Sequence, residues 1–265
     1  MNMDIINCRL CDSLSACIFS KTVLKKYNVK FYKCEKCKSL QTEDPYWLKE
    51  SYQDWVTKYD TGIYSRVIKT FLVSFFICKI FKLKNILDFG GGDGLFCRIM
   101  RDYYLNCFSY DKFSKNAYSK GFIEKNFSTP DLITSFEAIE HFSKPSDELS
   151  KIFNLKPKMF LLTTGIYQDQ DKNWNYLEED SGQHIFFYSK ESLEFIAKKY
   201  NYNITFLESG FVLMISPTTK INKLAIYVLK KIIIRQKMFI FLKLILIFFK
   251  SNGYEKDYKN IKYNL

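Results

Sequence analysis

The sequence lacks a basic start followed by an apolar run: Met1-Asn2-Met3-Asp4 does not open a secretory signal, and a cytoplasmic protein is expected. It also lacks a spanning segment at its most apolar end. The run Met238 to Phe249 is twelve residues long, broken by Lys243, and too short to cross a bilayer as a helix. Acidic residues are scarce in the same region: residues 220–265 hold eleven Lys and Arg against two Asp and Glu, so +9 of the net +12 sits there and the body carries only +3. An enzyme acting on nucleic acid is expected to carry its basic charge around the site, so nucleic acid is disfavoured as substrate or partner. Histidine is nearly missing, with His141 and His184 alone, so any imidazole chemistry falls on those two.

Cysteine, by contrast, occurs eight times. In a reducing compartment that points to metal ligands or plain core residues, not to disulfides. Cys8-x-x-Cys11 and Cys34-x-x-Cys37 stand with 22 residues between the pairs, close to the spacing of a four-cysteine zinc ribbon. Two such knuckles complete a tetrahedron around Zn²⁺ with no open position, which makes the expected site structural. Cys17, Cys78, Cys97 and Cys107 have no paired spacing and are expected in the core. Ile18-Phe19 and Val29 to Lys33 fit short strands of the ribbon. With 47% hydrophobic and 18% aromatic content, 265 residues suffice for one main core plus a small appendage.

The most informative stretch is Asn85-Ile86-Leu87-Asp88-Phe89-Gly90-Gly91-Gly92-Asp93-Gly94, an apolar strand, an acid, a glycine-dense turn and then a helix from Leu95 to about Tyr104. Such a turn lets backbone approach a ligand with no Cβ in the way, and the helix start offers free N–H groups. A second apolar stretch, Cys107 to Tyr110, ends in Asp111, where a doubly wound fold places the acid that accepts from ribose hydroxyls. A nucleoside-type cofactor is expected.

Asp88 to Gly94 resembles the D-x-G-x-G-x-G signature of class I S-adenosylmethionine-dependent methyltransferases, with Asp111 at that family's ribose acid. Pro130 to Phe142, with its Glu137-Ala138-Ile139-Glu140-His141, resembles the family's fourth strand and following turn. The resemblance covers about Tyr52 to Pro217. The paired cysteines extend it toward methyltransferases that modify sugars and surface polysaccharides. It implies S-adenosylmethionine as cofactor, held by Asp88, Gly90, Gly92, Gly94, Asp111 and Phe136. It implies as acceptor a small hydroxyl compound, a sugar or nucleotide-activated precursor. An RNA 2′-O-methyltransferase and a non-catalytic cofactor-binding subunit are the alternatives.

The remaining pattern alternates strands and helices: Asp131–Phe136, Pro145–Leu155, Met159–Thr164, Ser189–Asn201, then an antiparallel pair, Ile204–Glu208 with Phe211–Ser216. The expected architecture is α/β, a Rossmann-like, doubly wound, mostly parallel sheet with an antiparallel last strand, plus a small zinc ribbon. A third strand would lie in Gly121 to Phe127. The boundaries fall at 1–45 for the ribbon, 46–219 for the cofactor-binding domain with a helical lead-in over 46–84, and 220–265 for a basic amphipathic tail. Tyr46, Trp47, Tyr52, Trp55, Tyr59 and Tyr64 either cover the cofactor or join the ribbon to the main domain.

The insert Gly165 to Tyr188 opens at a strand's carboxyl end and suits the acceptor. Glu137, Glu140 and His141 share one face if their segment is helical, and His184 falls at a second strand end. Three roles stay open for these four residues. A histidine serves as general base; the cluster binds a divalent cation such as Mg²⁺, as the resemblance to metal-dependent members suggests; or the side chains merely cap and pack. Ile221 to Phe249 is expected to be helical and to dock on the domain, form a homodimer contact, or lie on the inner membrane surface.

Overall fold

A computed structural model of the chain describes residues 4–52, 61–123, 129–207, 210–219 and 246–263. The N-terminal part is an antiparallel sheet of β1 (Ile5–Asn7), β2 (Leu14–Val23), β3 (Tyr27–Cys34) and β4 (Leu40–Thr42). The hairpin is longer than the short strands expected from sequence, and a register shift between Cys17 and Phe19 lets ten residues of β2 follow eight of β3. Cys17 sits beside that irregularity and is half-buried, against the expectation of a core residue, whereas Cys78, Cys97 and Cys107 are buried as expected.

A short helix, α1 (Leu48–Ser51), leads to α2 (Ile63–Phe81), and the main sheet begins with β5 (Asn85–Phe89). There follow α3 (Leu95–Asp102), β6 (Asn106–Tyr110), β7 (Leu132–Phe136), α4 (Pro145–Asn154), β8 (Met159–Thr163), the two-residue β9 (Phe186–Phe187), α5 (Lys190–Lys199), β10 (Asn203–Phe206) and β11 (Phe211–Ile215). The six-stranded sheet has the order β10-β11-β8-β7-β5-β6, and β11 runs against both of its neighbours while β8, β7, β5 and β6 pair in parallel. Of the expected third strand, Ile123 makes a parallel bridge to Ser109, and residues 124–127 lie outside the described residues.

Alternation along the central strands explains why they are apolar throughout. Met159 and Leu161 join the core that contains α2 and α3, while Phe160 and Leu162 join the core of α4 and α5. Covered on both faces, the sheet can present chemistry only at its strand ends.

The insert between β8 and α5 does not stay with the main sheet. Its β9 pairs antiparallel with β4, Leu40 opposite Phe187 and Gln41 opposite Phe186, so the N-terminal sheet gains a fifth strand from the insert. Val29, Phe31, Leu40, Trp47, Tyr167, Leu177, Ile185 and Phe187 form one shared core. The Trp47 indole N–H donates to the Gly182 carbonyl at 2.8 Å, which assigns this aromatic to joining the parts. Tyr46 and Tyr64 are exposed, and Trp55 and Tyr59 lie outside the described residues.

Most of the tail expected as a helix, residues 220–245, also lies outside the described residues. Its end docks on the domain: Phe249 packs edge-on to Phe75 at 5.0 Å, and α6 (Gly253–Tyr263) places Asp257 against Arg98 and Arg101 of α3 at 2.7–2.8 Å. Among the described residues no helix is long and apolar enough to cross a membrane.

Candidate active site

The carboxyl ends of β5, β6, β7 and β8 open into one cavity of about 930 Å³, large enough for a nucleoside-type ligand and a small acceptor together. Its cofactor end is built from the glycine turn. Gly90 holds φ +78°, and a Cβ there would stand 2.6 Å from the Ala138 Cβ. A Cβ at Gly91 would collide with the Asp88 carboxylate and the Ser109 hydroxyl, so the turn closes over β5 only without side chains. Gly94, also at positive φ, is the N-cap of α3 and does not line the cavity.

Asp111, at the end of β6, accepts from the Gly92 N–H at 3.0 Å through Oδ2, and from the Phe113 and Ser114 N–H groups at 2.8 and 2.7 Å through Oδ1. An ionised carboxylate has about four acceptor positions, so one remains on Oδ2, facing the cavity it lines. Asp88 is buried and accepts from the Thr134 hydroxyl at 2.8 Å; burial draws its pKa up to about 7. Phe136 lines the floor between Phe96 and Phe211, with ring centroids at 5.2 and 6.2 Å. Tyr52 stacks on Phe113 at 4.5 Å, and both line the cavity, which puts this aromatic of the lead-in on the cavity wall.

The other end holds the acids and both histidines, by a route the sequence did not show. Glu137, Glu140 and His141 do not share an α-helical face: Glu137 takes φ +47° after β7, and only a single 3₁₀ turn, Ile139–His141, follows. The convergence comes instead from that tight turn and from the insert. The ligand atoms of Glu140, His141 and His184 lie within 4.8 Å of one another. Glu137 joins them through Tyr176, whose hydroxyl lies 2.6 Å from Glu140 Oε1 and 2.9 Å from Glu137 Oε2. The Thr164 hydroxyl donates to Glu140 Oε2 at 3.2 Å.

Each histidine is oriented by a backbone carbonyl. His141 Nδ1 is 3.0 Å from the Gln183 carbonyl oxygen, and His184 Nδ1 is 2.7 Å from that of Tyr176. A carbonyl only accepts, so both Nδ1 atoms carry the proton, and His184 Nε2 faces the carboxylates of Glu140 at 3.9 Å and Glu178 at 3.6 Å. Burial holds both rings neutral: it lowers the pKa of His141, and it lowers that of His184 to about 3, with His141 nearby adding to the effect. Burial raises the Glu140 carboxyl well above its usual range, and Glu137 adds to this. Two neutral imidazoles with carbonyl-fixed tautomers beside a carboxyl are the donor set that a divalent first-row cation takes.

The four paired cysteines also converge. Cys8 Sγ lies 3.6 Å from Cys37 Sγ, Cys11 Sγ lies 3.5 Å from Cys34 Sγ, and all four fall within 4.8 Å of one another. A tetrahedron of sulfurs at the usual zinc–sulfur length has edges of about 3.8 Å, so the set fits one Zn²⁺. Ser39 Oγ, 3.0 Å from Cys37 Sγ, is placed to hydrogen-bond a thiolate.

Tyr176, Thr164, Gln183 and Tyr52 are the site residues that sequence reasoning missed or left undecided. The available signal was the acid pair itself, since two carboxyls three residues apart at a strand end need a donor between them.

A parallel sheet with one reversed strand, a glycine turn after β5 and an acid at the end of β6 define a Rossmann-like enzyme that binds a nucleoside cofactor. A family profile described as a methyltransferase domain matches residues 62–206. The chain belongs to that family, and it is an S-adenosylmethionine-dependent methyltransferase. Among solved structures it is similar to the methyltransferase domain of bacterial CtHen1 (16% identity, 56% of this chain and 98% of that one, TM-score 0.43). It is similar also to magnesium protoporphyrin IX methyltransferase from Synechocystis PCC 6803 (9% identity, 64% and 92%, TM-score 0.43). A third similar structure is a putative methyltransferase in complex with the Trm112 activator of Haloferax volcanii (14% identity, 66% and 98%, TM-score 0.45). No curated protein matches the sequence.

Proposed function

We propose that the protein transfers a methyl group to a hydroxyl of a small acceptor, a sugar or a nucleotide-activated sugar precursor of a surface polysaccharide, with help from a divalent cation. The observation that carries the reading is the cluster of His141, His184 and Glu140, whose ligand atoms lie within 4.8 Å of one another in the cavity that Asp111 also lines. A hydroxyl is a poor nucleophile until its proton is weakened or removed, and a site for methylating it needs a base or a Lewis acid.

When bound, S-adenosylmethionine supplies an electrophilic methyl group on a sulfonium. The Gly90–Gly92 backbone and Asp111 would hold its nucleoside end, with Phe136 beneath and Tyr52 on the cavity wall. His141, His184 and Glu140 would hold the cation, which supplies Lewis acidity to the acceptor oxygen. Glu137 and Tyr176 set the hydrogen bonding of Glu140. Imidazole donors favour Mn²⁺ or a later first-row cation over Mg²⁺. A histidine acting as a plain base is the weaker version, because burial lowers the pKa of both rings and so disfavours their taking up a proton.

The division into a zinc ribbon over 1–45, a methyltransferase domain over 46–219 and a tail over 220–265 belongs to the same proposal, as does structural Zn²⁺ on Cys8, Cys11, Cys34 and Cys37. For the tail, the contacts of α6 support docking on the domain over a membrane or homodimer contact. RNA 2′-O-methylation is the second reading, favoured by the histidine–carboxyl cluster. A non-catalytic role is disfavoured by a cluster complete enough to hold a cation.

The test is to incubate the protein with methyl-labelled S-adenosylmethionine and extract of its source cells, separated into nucleotide-sugar and small-RNA fractions. Label in the first fraction supports the proposal, and label in RNA moves the assignment to the second reading. Replacing His184 by Ala should lower transfer by roughly 10²–10⁴. Unchanged transfer in both His141→Ala and His184→Ala would refute either reading.

A further inference from the structure

The backbone that carries His184 is held from the ribbon side. The Gln183–Ile185 segment fixes the histidines twice over: the Gln183 carbonyl accepts from His141 Nδ1, and the Ile185 N–H donates to the Glu140 carbonyl at 3.0 Å. Its continuation, β9, is only two residues long, and two residues of ladder are too few to hold a strand in register unaided.

Arg9, inside the first cysteine knuckle, meets that segment. Its Nη2 donates to the Ile185 carbonyl at 2.6 Å and to the Thr42 carbonyl at 3.2 Å. Its Nε donates to Gln41 Oε1 at 3.2 Å, and its Nη1 reaches the Ser143 carbonyl at 3.4 Å. One planar fork thus bridges Ile185, the neighbour of His184, and Ser143, two residues beyond His141. A lysine could not do so, because a single ammonium cannot meet acceptors lying in several directions. The guanidinium also lies 5.8 Å from the centre of the Phe186 ring, and Ile185, Phe186 and Phe187 are fully buried. Removing the fork would leave the Ile185 carbonyl with Thr42 alone and would take from both histidine segments their tie to Arg9, leaving only the two direct bonds between them.

We propose that Arg9 is a positioning residue for methyl transfer: by clamping Ile185 and Ser143 to the ribbon it holds His141 and His184 in register beside Glu140. The inference rests on the reading that these histidines serve the reaction. It makes the ribbon part of the acceptor site and leaves the cofactor end independent, since Arg9 touches none of the turn or Asp111.

Because the chain has only two histidines, ¹⁵N-imidazole spectra of the whole protein report both without ambiguity. In the wild type both rings should show a protonated Nδ1 and a bare Nε2. Arg9→Met should turn His184 into a mixture of tautomers, while S-adenosylmethionine affinity measured by calorimetry stays within about threefold. Arg9→Lys, which keeps the charge and stem, should fall between the two and serves as the decisive variant if Arg9→Met does not fold. Wild-type tautomers in the variants that fold would overturn the proposal. So would a parallel loss of cofactor affinity, which would make Arg9 a general folding contact. Failure of the underlying reading has a different signature: His141→Ala and His184→Ala would transfer label at the wild-type rate, whatever the spectra of the Arg9 variants.

Discussion

At the scale of single residues, the two aspartates of the cofactor end have opposite surroundings. Asp111 is wrapped by three backbone N–H groups and keeps one acceptor position toward the cavity. A hydrogen bond from ribose to an ionised acceptor is charge-assisted, so Asp111→Ala should weaken S-adenosylmethionine binding by about 1.5–3 kcal/mol, or roughly tenfold to a hundredfold. Calorimetry showing unchanged affinity would remove Asp111 from the ribose. Asp88 is buried with a single hydroxyl donor, and its pKa of about 7 lies above the ordinary carboxyl value. The native state therefore binds more protons than the unfolded chain between about pH 4 and 7, and this residue's contribution to stability falls as pH rises through that window. Replacement by a neutral isostere removes the dependence: relative to wild type, Asp88→Asn should gain roughly 2–4 kcal/mol at pH 8 and nearly nothing at pH 4. Urea unfolding of the two proteins at both pH values checks the sign, and a gain that does not change with pH would show that Asp88 is ionised in the native state.

At the scale of elements, local motifs were legible and long-range pairings were not. The glycine turn, the acid after β6 and the cysteine knuckles each reside within a few residues, so their spacing alone pointed to them. The strands of the main sheet followed from apolar runs, and β10 with β11 from the turn around Gly210. The pairing of β4 with β9 joins residues more than 140 positions apart in a strand of two residues, too short for any periodicity to mark. The convergence of Glu137 with Glu140 was expected for a helical reason and occurs for another, because Glu137 adopts a left-handed conformation and Tyr176 arrives from the insert. The ribbon should therefore matter beyond its own fold. Cys34→Ser should lose the ribbon's zinc, measured by metal analysis, and should loosen β9 and His184 while cofactor affinity stays near wild type. Wild-type protein free of zinc when prepared without chelator would remove the metal from this account. On the opposite side, α6 is held by Asp257 between Arg98 and Arg101, with side chains only 6–22% exposed. Asp257→Asn leaves two cations facing a neutral amide, and a loss of about 2–4 kcal/mol is expected together with earlier proteolysis after residue 245.

At the scale of the whole molecule, two clusters of metal-ligating side chains of different kind flank the segment that carries His184. Four sulfurs within 4.8 Å of one another would close a tetrahedron with no open position, and a zinc held there would be part of the fold. The histidine–carboxyl cluster opens onto the cavity, and its mixed nitrogen and oxygen donors would bind a cation less tightly and leave positions for an oxygen ligand. A brief treatment with EDTA should therefore remove the second cation and not the first. Methyl transfer should fall to background, return with Mn²⁺ more fully than with Mg²⁺, and be insensitive to added Zn²⁺ as long as the ribbon zinc is retained. Cofactor affinity should not change across the treatment, because neither the turn nor Asp111 belongs to either site. If transfer instead survives EDTA and rises with pH through an apparent pKa near 6 to 7, a histidine is the base, and its environment in the complex must be wetter than in the free protein. If transfer is lost only when zinc leaves the ribbon, the cation belongs to the fold alone, and the acceptor hydroxyl is activated by the side chains of Glu137, Tyr176 and Glu140.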